Sequence, residues 1–487
     1  MAARDQIKHV IVLMLENRSF DSMLGTLYPA GAGFNGLTGN ESNPLGNALP
    51  DIPVNSYNPT TIDSYTATIP TPDPGEEFTD MNQQLFGAGG LPPAAQQPPM
   101  NGFAFNYFNH KVGSKDGVPN PRDIMHYFTC KQLPVMSTLA KTFAVSDQWH
   151  ASAPCQTWPN RFFAHTGTCL GQVNNKDFVT SGKVPFPQPS IFQRLTEKGR
   201  TWRVYYNDLP FSALVKDVLL QRDNIKGFDQ FLADAGATNP SLPNYSFIEP
   251  QFYPYLGEFG NPSDQHPPHN VLYGEQLIAN VYNTLRKSVC WKNSLLIVTH
   301  DEHGGCYDHA PPPCAVSPDD LAPSGFDFNR YGVRVPALII SPWVAPGSIV
   351  RSAPNGIVFN PPPYPFDHTS IIATLRDLFH LGGQLTKRDG VAPSLFQFPQ
   401  YFLQAPTNDG PLFLDCIKPD ASMDANRKLA YGPPNDNQNW MAQAYRKLLI
   451  EKGLTIGTVL ADVETVFENA LTAGLHGVAS FKSLMGF

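Results

Sequence analysis

One short stretch near residue 300 constrains the fold of this chain more than any other. Residues 295–298 are four consecutive apolar side chains, and the run ends at once in the polar sequence THDEHGG, residues 299–305. An unbroken apolar run of this length predicts a strand that is buried on both faces of a parallel sheet. Asp301 and Glu302 then follow the carboxyl end of that strand, which is the edge of an open α/β sheet where ligands bind.

Adjacent carboxylates repel each other, so Asp301 and Glu302 are expected either in solvent or beside a cation. A second candidate strand, residues 10–15, ends in the same way, because Glu16 and Asn17 follow it directly. For Asp301 and Glu302 alone, a polar surface turn is a sufficient interpretation. Two strands that deliver oxygen atoms to one sheet edge favour a binding site instead.

The rest of the chain alternates between strand-like and helix-like segments. Further strands are predicted over residues 143–146, 201–205 and 335–341, and helices over residues 134–140, 191–197, 274–288 and 371–378. Asp367 and His368 are expected to cap the last of these helices rather than to take part in chemistry. The alternation predicts an α/β sandwich, with a largely parallel central sheet flanked by helices.

A hydroxyl group lies close to another predicted helix start. Pro159 and Arg161 belong to a segment that begins a helix, and proline is favoured in the first helical turn. Thr157 would then lie near the helix N-terminus, where free backbone N–H groups and the helix dipole attract an anion such as phosphate. The local sequence by itself favours the simpler role of an N-cap threonine.

Together, the candidate groups at this sheet edge are three carboxylates, one amide and one hydroxyl: Glu16, Asn17, Thr157, Asp301 and Glu302. All-oxygen sets of this kind suit a hard or borderline divalent cation. A cation beside a threonine hydroxyl lowers the pKa of that hydroxyl and makes it a usable nucleophile, and it also polarises a phosphoryl oxygen.

Six blocks carry a family resemblance that spans most of the first 375 residues. They are IKHVIVLMLENRSFDSMLG (7–25), LAKTFAVSDQWHASAPCQTWPNR (139–161), DQHPPHNVLYGEQLI (264–278), TLRKSVCWKNSLLIVTHDEHGGCYDHAPPP (284–313), RYGVRVPALIISPWV (330–344) and FDHTSIIATL (366–375). In this order they resemble the bacterial phosphoesterase family of phosphatidylcholine-type phospholipases C and a related acid phosphatase. That family belongs to the alkaline-phosphatase-like superfamily, so the resemblance implies an alkaline-phosphatase-like sandwich.

The resemblance implies that Thr157 is the nucleophile and becomes phosphorylated. It also implies that Glu16, Asn17, Asp301 and Glu302 hold one divalent metal ion, with Thr157 completing the site. Zinc, calcium, magnesium and manganese are all compatible with such a ligand set.

Four further residues receive expected roles from the same resemblance. His266 aligns with a histidine that protonates the leaving oxygen, although it could instead stack within its proline-rich loop. His303 is expected to orient Glu302 or the phosphate. Asn160 and Arg161 are expected either to contact the phosphate or to fix the nucleophile loop.

The implied activity is metal-dependent hydrolysis of a phospholipid, such as phosphatidylcholine, through a phosphothreonine intermediate. The alternative within the family is a broad acid phosphatase that acts on small phosphomonoesters. A third interpretation is a catalytically silent member that is retained for binding. The substrate partner is therefore expected to be a phospholipid or another phosphate ester, with transient contact at a membrane surface.

Composition excludes several other classes of protein. The net charge of −8 and the absence of a basic run argue against a nucleic-acid partner. The apolar stretches are too short to span a membrane, and no cleavable signal peptide is visible, so we expect a cytoplasmic protein or one secreted without a cleaved signal. The seven cysteines form no CxxC pair, which argues against a zinc-finger site. A bridge between Cys306 and Cys314 stays undecided.

The domain organisation follows from changes in periodicity. Residues 1–414 are expected to form the catalytic domain, interrupted over residues 34–117 by an irregular, proline-rich insertion that acts either as a lid or as a structural loop. Residues 415–487 are expected to form a C-terminal helical extension, with helices over residues 441–451 and 460–471.

Overall fold

A computed structural model describes residues 3–29, 33–46, 49–87, 96–110, 119–236, 240–253, 261–354, 356–419 and 435–452. Its strands are β1 (His9–Leu15), β2 (Ser42–Asn43), β3 (Ile52–Pro53), β4 (Ala144–Val145), β5 (Trp149–His150), β6 (Trp202–Tyr206), β7 (Ile225–Gly227), β8 (Tyr245–Glu249), β9 (Ser294–His300), β10 (Ala337–Ile340), β11 (Ser348–Ile349) and β12 (Phe366–Asp367).

The α-helices surround these strands. They are α1 (Ala3–Gln6), α2 (Phe20–Leu24), α3 (Phe78–Phe86), α4 (Phe103–Asn109), α5 (Pro121–Ile124), α6 (Pro134–Thr142), α7 (Thr157–Thr166), α8 (Asn175–Thr180), α9 (Ile191–Glu197), α10 (Lys216–Leu220), α11 (Phe228–Gly236), α12 (Val271–Lys287), α13 (Thr369–Phe379), α14 (Lys387–Val391) and α15 (Asp436–Lys452).

The central sheet has eight strands in the order β11-β4-β10-β9-β1-β8-β6-β7. Neighbouring strands are parallel except at β10, which runs antiparallel to both β4 and β9. The two strands that the sequence marks most clearly, β1 and β9, are adjacent and parallel at the middle of the sheet. Every residue of β9 is buried, as its unbroken apolar run requires. The predicted α/β class with a largely parallel sheet is therefore confirmed.

Helix α12 shows how the local sequence sets the layers around the sheet. The Asn270 side chain accepts a hydrogen bond from the Leu272 backbone N–H at 3.0 Å and caps the helix, while Arg286 and Lys287 occupy its last turn. Its apolar side chains, such as Leu277 and Val281, are buried in the main core. Burial of this apolar stripe fixes the helix on the sheet.

The segment over residues 34–117 is less irregular than predicted. It contains α3 and α4, together with the small antiparallel pair of β2 and β3. The helices were missed because short aromatic runs lie between proline-rich stretches, so no long periodic pattern is visible. Whether this segment acts as a lid remains a prediction.

Other expectations have mixed outcomes. The helix predicted over residues 441–451 is present as α15, whereas the one predicted over residues 460–471 lies outside the described residues. Cys306 and Cys314 are both free thiols. Within the described part of the chain, no helix combines the length and apolarity that a membrane crossing requires.

Candidate active site

The sheet register brings the two polar strand ends together. Leu15 and His300 are paired at the ends of β1 and β9, so Glu16 and Asp301 leave the sheet side by side. The Asn17 backbone N–H donates to Asp301 Oδ1 at 3.1 Å, and the Arg18 backbone N–H donates to the Glu302 carbonyl at 3.0 Å. The positive φ of 56° at Asn17 marks the sharp turn that follows β1.

Thr157 approaches this edge from the opposite side as the first residue of α7. Its Oγ1 donates to Asn17 Oδ1 at 3.3 Å, and the residue is fully buried. Gln156 occupies the N-cap position without a side-chain capping bond, so Thr157 is not the cap that the local sequence favoured. Its hydroxyl is thus directed toward Asn17 at the end of β1 rather than used to cap its own helix.

Asn160 holds the loop that precedes Thr157. Its Nδ2 donates to the carbonyl of Cys155 at 2.7 Å, and its Oδ1 accepts from the Ala153 backbone N–H at 3.1 Å. Both polar ends of the side chain are therefore engaged within the loop. Of the two roles expected for Asn160, these contacts favour fixing the nucleophile loop over binding substrate.

Arg161, one turn along α7, pairs with two of the buried acids. Its Nε donates to Asp301 Oδ2 at 2.9 Å, and its Nη2 lies 3.6 Å from Glu16 Oε1. The side chains of all three residues are fully buried. The Arg161 guanidinium therefore pairs with two of the three carboxyl groups at the strand ends, Glu16 and Asp301.

This imbalance of charge changes the acidity of the cluster. Burial raises the pKa of Glu302 well above its usual range, and the neighbouring Asp301 carboxylate raises it further. Burial and Asp301 also raise the pKa of Glu16, and the Arg161 guanidinium opposes them only in part. The pKa of Asp301 is raised by burial despite its bond to Arg161. A bound cation would favour the ionised form of all three groups.

The available oxygen atoms fit such a cation. Glu16 Oε2 and Glu302 Oε1 are buried and accept no hydrogen bond from the described residues. Buried carboxylate oxygens without donors are costly unless an ion satisfies them. The carboxylate oxygens of Glu16, Asp301 and Glu302 do not all lie within 4.8 Å of one another. To bind one ion together, these side chains would have to move closer to each other.

His266 lies beside this cluster and contacts the segment over residues 34–117. Its Nε2 is 3.1 Å from Glu76 Oε1, its Nδ1 is 3.7 Å from Asp73 Oδ1, and its Nδ1–H donates to the Pro267 carbonyl at 2.5 Å. Burial lowers the pKa of His266, but the Glu76 and Asp73 carboxylates outweigh it and hold the pKa well above its usual value. The imidazole is therefore charged and can donate a proton.

Two other histidines support the strand ends. His303 Nε2–H donates to Gln84 Oε1 at 2.8 Å, its Nδ1 lies 3.3 Å from Glu302 Oε2, and burial lowers its pKa to about 3. The ring lies against Glu302, and its expected role in orienting Glu302 or the phosphate stays a prediction. His368 precedes α13 but makes no capping bond, which corrects the prediction; its Nε2–H donates to the Asp301 carbonyl at 2.5 Å instead.

Sequence reasoning missed the residues that reach the site from distant segments. Glu76 and Gln84 come from the proline-rich segment, and Asn437 comes from α15, where its Nδ2 donates to Glu16 Oε1 at 2.7 Å. No spacing rule connects such residues with the strand ends. The local signal in the sequence is the group of acids at Asp73, Glu76, Glu77 and Asp80, because residues 64–109 contain no other Asp, Glu, Lys or Arg.

A family model described as "Phosphoesterase family" matches this chain over residues 7–382. The chain belongs to the Phosphoesterase family. This phosphoesterase is a hydrolase of phosphate esters, and the match includes every residue discussed above except Asn437. The expected family resemblance is therefore confirmed.

Several curated proteins are similar to this phosphoesterase. Non-specific phospholipase C1 of Arabidopsis thaliana is 37% identical over 424 residues, which cover 85% of this chain and 74% of that protein. Non-specific phospholipase C4 of the same plant is 37% identical, over 79% of this chain and 70% of that protein. Phospholipase C A of Mycobacterium tuberculosis is 27% identical, over 79% of this chain and 75% of that protein.

Solved structures that resemble the chain are distant. A protein in the alkaline phosphatase superfamily from Vibrio parahaemolyticus has a TM-score of 0.32 and 13% identity, and the alignment covers 54% of this chain and 63% of that protein. A likeness this weak does not bear on the chemistry of the site.

Proposed function

We propose that this phosphoesterase is a phospholipase C that hydrolyses phospholipids such as phosphatidylcholine to diacylglycerol and phosphocholine. The names of its relatives support a phospholipid substrate. The observation that carries the catalytic assignment is the approach of the Thr157 hydroxyl to Asn17 at 3.3 Å, at the edge that also presents Glu16, Asp301 and Glu302. A hydroxyl beside a buried anionic cluster is the arrangement that metal-assisted phosphoryl transfer requires.

Glu16, Asn17, Asp301 and Glu302 would hold one divalent cation together with Thr157. When bound, the cation would lower the pKa of the Thr157 hydroxyl and offset negative charge on the phosphoryl oxygens. The Thr157 hydroxyl gives up its proton to solvent before its oxygen attacks phosphorus. Arg161 orients Asp301 through the 2.9 Å bond to Oδ2, and its charge favours the ionised form of that carboxyl against the effect of burial. His303 packs against Glu302 from the other side, with Nδ1 3.3 Å from Oε2.

The reaction then proceeds in two displacements at phosphorus. Thr157 Oγ1 forms a bond to phosphorus while the bond to the glycerol oxygen breaks, and the His266 imidazolium donates a proton to that leaving oxygen. Thr157 now carries the phosphocholine group. In the second displacement a water oxygen bonds to phosphorus, its proton passes to neutral His266, and the Thr157 oxygen leaves and is reprotonated from solvent.

The decisive experiment compares wild type, Thr157→Ala and Thr166→Ala on phosphatidylcholine micelles and on p-nitrophenyl phosphate, with and without chelator. Removal of the nucleophile should lower lipid turnover by roughly 10³-fold or more. Thr166 lies in the same helix, where its hydroxyl bonds the Phe162 carbonyl, so Thr166→Ala controls for folding.

Each outcome separates one interpretation from the others. Chelator-sensitive lipid cleavage that disappears in Thr157→Ala supports the proposal. Phosphate release from the small monoester without lipid cleavage would instead identify an acid phosphatase. No turnover of either ester by wild type would favour a silent binding protein. Full activity of Thr157→Ala would reject the nucleophile and direct attention to Ser152, the other hydroxyl in that loop.

A further inference from the structure

The first turn of α15 contacts both residues that flank the proposed nucleophile. Gln156 Nε2 donates to Asp436 Oδ2 at 2.9 Å, and Trp158 Nε1 donates to Asn437 Oδ1 at 2.8 Å. Thr157 lies between these two contacts. The helix therefore holds the start of α7, although it follows the last family-matched residue, 382, by more than fifty positions.

The same asparagine also contacts a proposed metal ligand. Asn437 Nδ2 donates to Glu16 Oε1 at 2.7 Å, while Glu16 Oε2 accepts no hydrogen bond from the described residues. Asn437 is only 1% exposed, so both of these hydrogen bonds are shielded from solvent. Its amide thus bonds the nucleophile helix through its oxygen and the metal-binding carboxylate through its nitrogen.

A neutral donor at this position has a specific effect on Glu16. It occupies one carboxylate oxygen and leaves the other free for an ion, and it adds no positive charge that would compete with that ion. A carboxylate held in this way loses less rotational freedom when it binds a cation. Arg161, by contrast, is 3.6 Å from the same Glu16 oxygen and carries a charge.

Other contacts hold α15 on the domain independently of Asn437. The Tyr445 hydroxyl donates to the Pro210 carbonyl at 2.7 Å, and the Tyr253 hydroxyl donates to the Gln438 carbonyl at 2.6 Å. Gln438 Nε2 donates to the Phe252 carbonyl at 2.5 Å. Removal of the Asn437 amide should therefore leave the helix in place.

From these contacts we infer that Asn437 is a positioning residue of the active site. It orients Glu16 for the divalent cation and, through Trp158, fixes the first turn of α7 that presents Thr157. The C-terminal helix is accordingly part of the catalytic apparatus rather than an appendage. The inference rests on the proposed function, because it takes Glu16 as a cation ligand and Thr157 as the nucleophile.

The test is a calorimetric titration of metal-free full-length protein with Mn²⁺, for wild type, Asn437→Ala and Tyr445→Phe. Loss of a group that orients a metal ligand typically weakens metal binding about 10- to 100-fold, and we expect this loss for Asn437→Ala. Tyr445→Phe removes one hydrogen bond from the same helix but none from Glu16, so it should bind Mn²⁺ as wild type does. Thermal unfolding of both variants controls for a general loss of structure.

The other results would overturn the inference in distinguishable ways. Wild-type Mn²⁺ affinity in Asn437→Ala would reject the positioning role and leave the proposed function intact. Equal weakening in Tyr445→Phe would show that helix docking, not the Asn437 amide, matters. Absence of Mn²⁺ binding by wild type would overturn this inference, and absence of Zn²⁺, Mg²⁺ and Ca²⁺ binding in the same titration would reject the proposed metal site as well. Because no substrate is present in the titration, its result is independent of which ester the protein hydrolyses.

Discussion

The active site is assembled from two regions that differ in origin. The strand-end region consists of Glu16, Asn17, Asp301 and Glu302, which leave adjacent parallel strands at one sheet edge. The peripheral region consists of Glu76, Gln84 and Asn437, which come from the proline-rich segment and from α15. The strand-end region provides the groups that would bind a cation, and the peripheral region fixes how those groups and His266 are presented.

The two regions also differ in how they balance their charge. In the strand-end region the acids outnumber the single guanidinium of Arg161, and their pKa values rise. In the peripheral region, Glu76 faces His266 together with the nearby Asp73, and these two carboxylates raise the pKa of His266. A bound cation would neutralise the excess of carboxylates at the strand ends, whereas the carboxylates of the peripheral region favour the protonated form of His266. Substitutions in the two regions should therefore change stability, turnover and the pH dependence of turnover in different ways.

Asp301→Asn should have the largest effect, because it damages both stability and chemistry. The buried Arg161 guanidinium would lose its closest anion, and breaking a buried ion pair costs about 3–5 kcal/mol of unfolding free energy. Lipid turnover should also fall, since a proposed cation ligand is lost. Denaturant unfolding and Mn²⁺ titration measure the two effects separately.

Asp320→Asn is the matched control, because Asp320 is 91% exposed and pairs only with Lys387 at the surface. It should leave stability and turnover unchanged. If Asp301→Asn were as stable as this control, the strand-end region would not depend on the Arg161 pair.

Glu76→Gln should have a smaller effect that depends on pH. The Glu76 charge helps to raise the pKa of His266, so its removal lowers that pKa. The protonated form is the active acid, so activity should be lost at a lower pH than in wild type as the pH rises. We expect lipid turnover at pH 8 to fall about 10-fold, and turnover of p-nitrophenyl esters to fall less because that leaving group needs no proton.

The pH–rate profile of Glu76→Gln needs two comparisons. Glu77→Gln removes the adjacent, half-exposed carboxylate that pairs with Lys176, and its profile should match wild type. The other charged or titratable groups that act on His266 stay in place: Asp73, Asp264, His269, Glu16 and Glu302. If turnover by Glu76→Gln fell at the same alkaline pH as turnover by wild type, His266 would not be the acid that limits the rate.

The same comparison explains what the sequence could predict. Asp301 and Glu302 follow a fully apolar strand, and the rule for parallel sheets then places them at a ligand-binding edge. Thr157 was expected near a helix start, and the helix begins at Thr157 itself, although the nucleophile role came from the family resemblance and not from that position. The placement of these residues could be predicted because strand ends and helix starts are local patterns, whereas their roles stay predictions.

The peripheral region could not be predicted, for physical reasons. Asn437 and Glu16 are 421 residues apart, and a single hydrogen bond between them leaves no periodic trace. Glu76 and Gln84 lie in a stretch where prolines interrupt the helical pattern. His368 was expected to cap α13, but the ring bonds the Asp301 carbonyl, a choice that only the tertiary structure determines.

The most direct test of the central claim is to identify the residue that carries the substrate's phosphoryl group during turnover. Wild-type protein would be mixed with phosphatidylcholine, quenched in acid within one turnover, digested and analysed by mass spectrometry. The proposed mechanism predicts phosphocholine attached to Thr157 in the α7 peptide, and no such adduct in Thr157→Ala. Attachment to another side chain, such as Ser152 or His266, would contradict it.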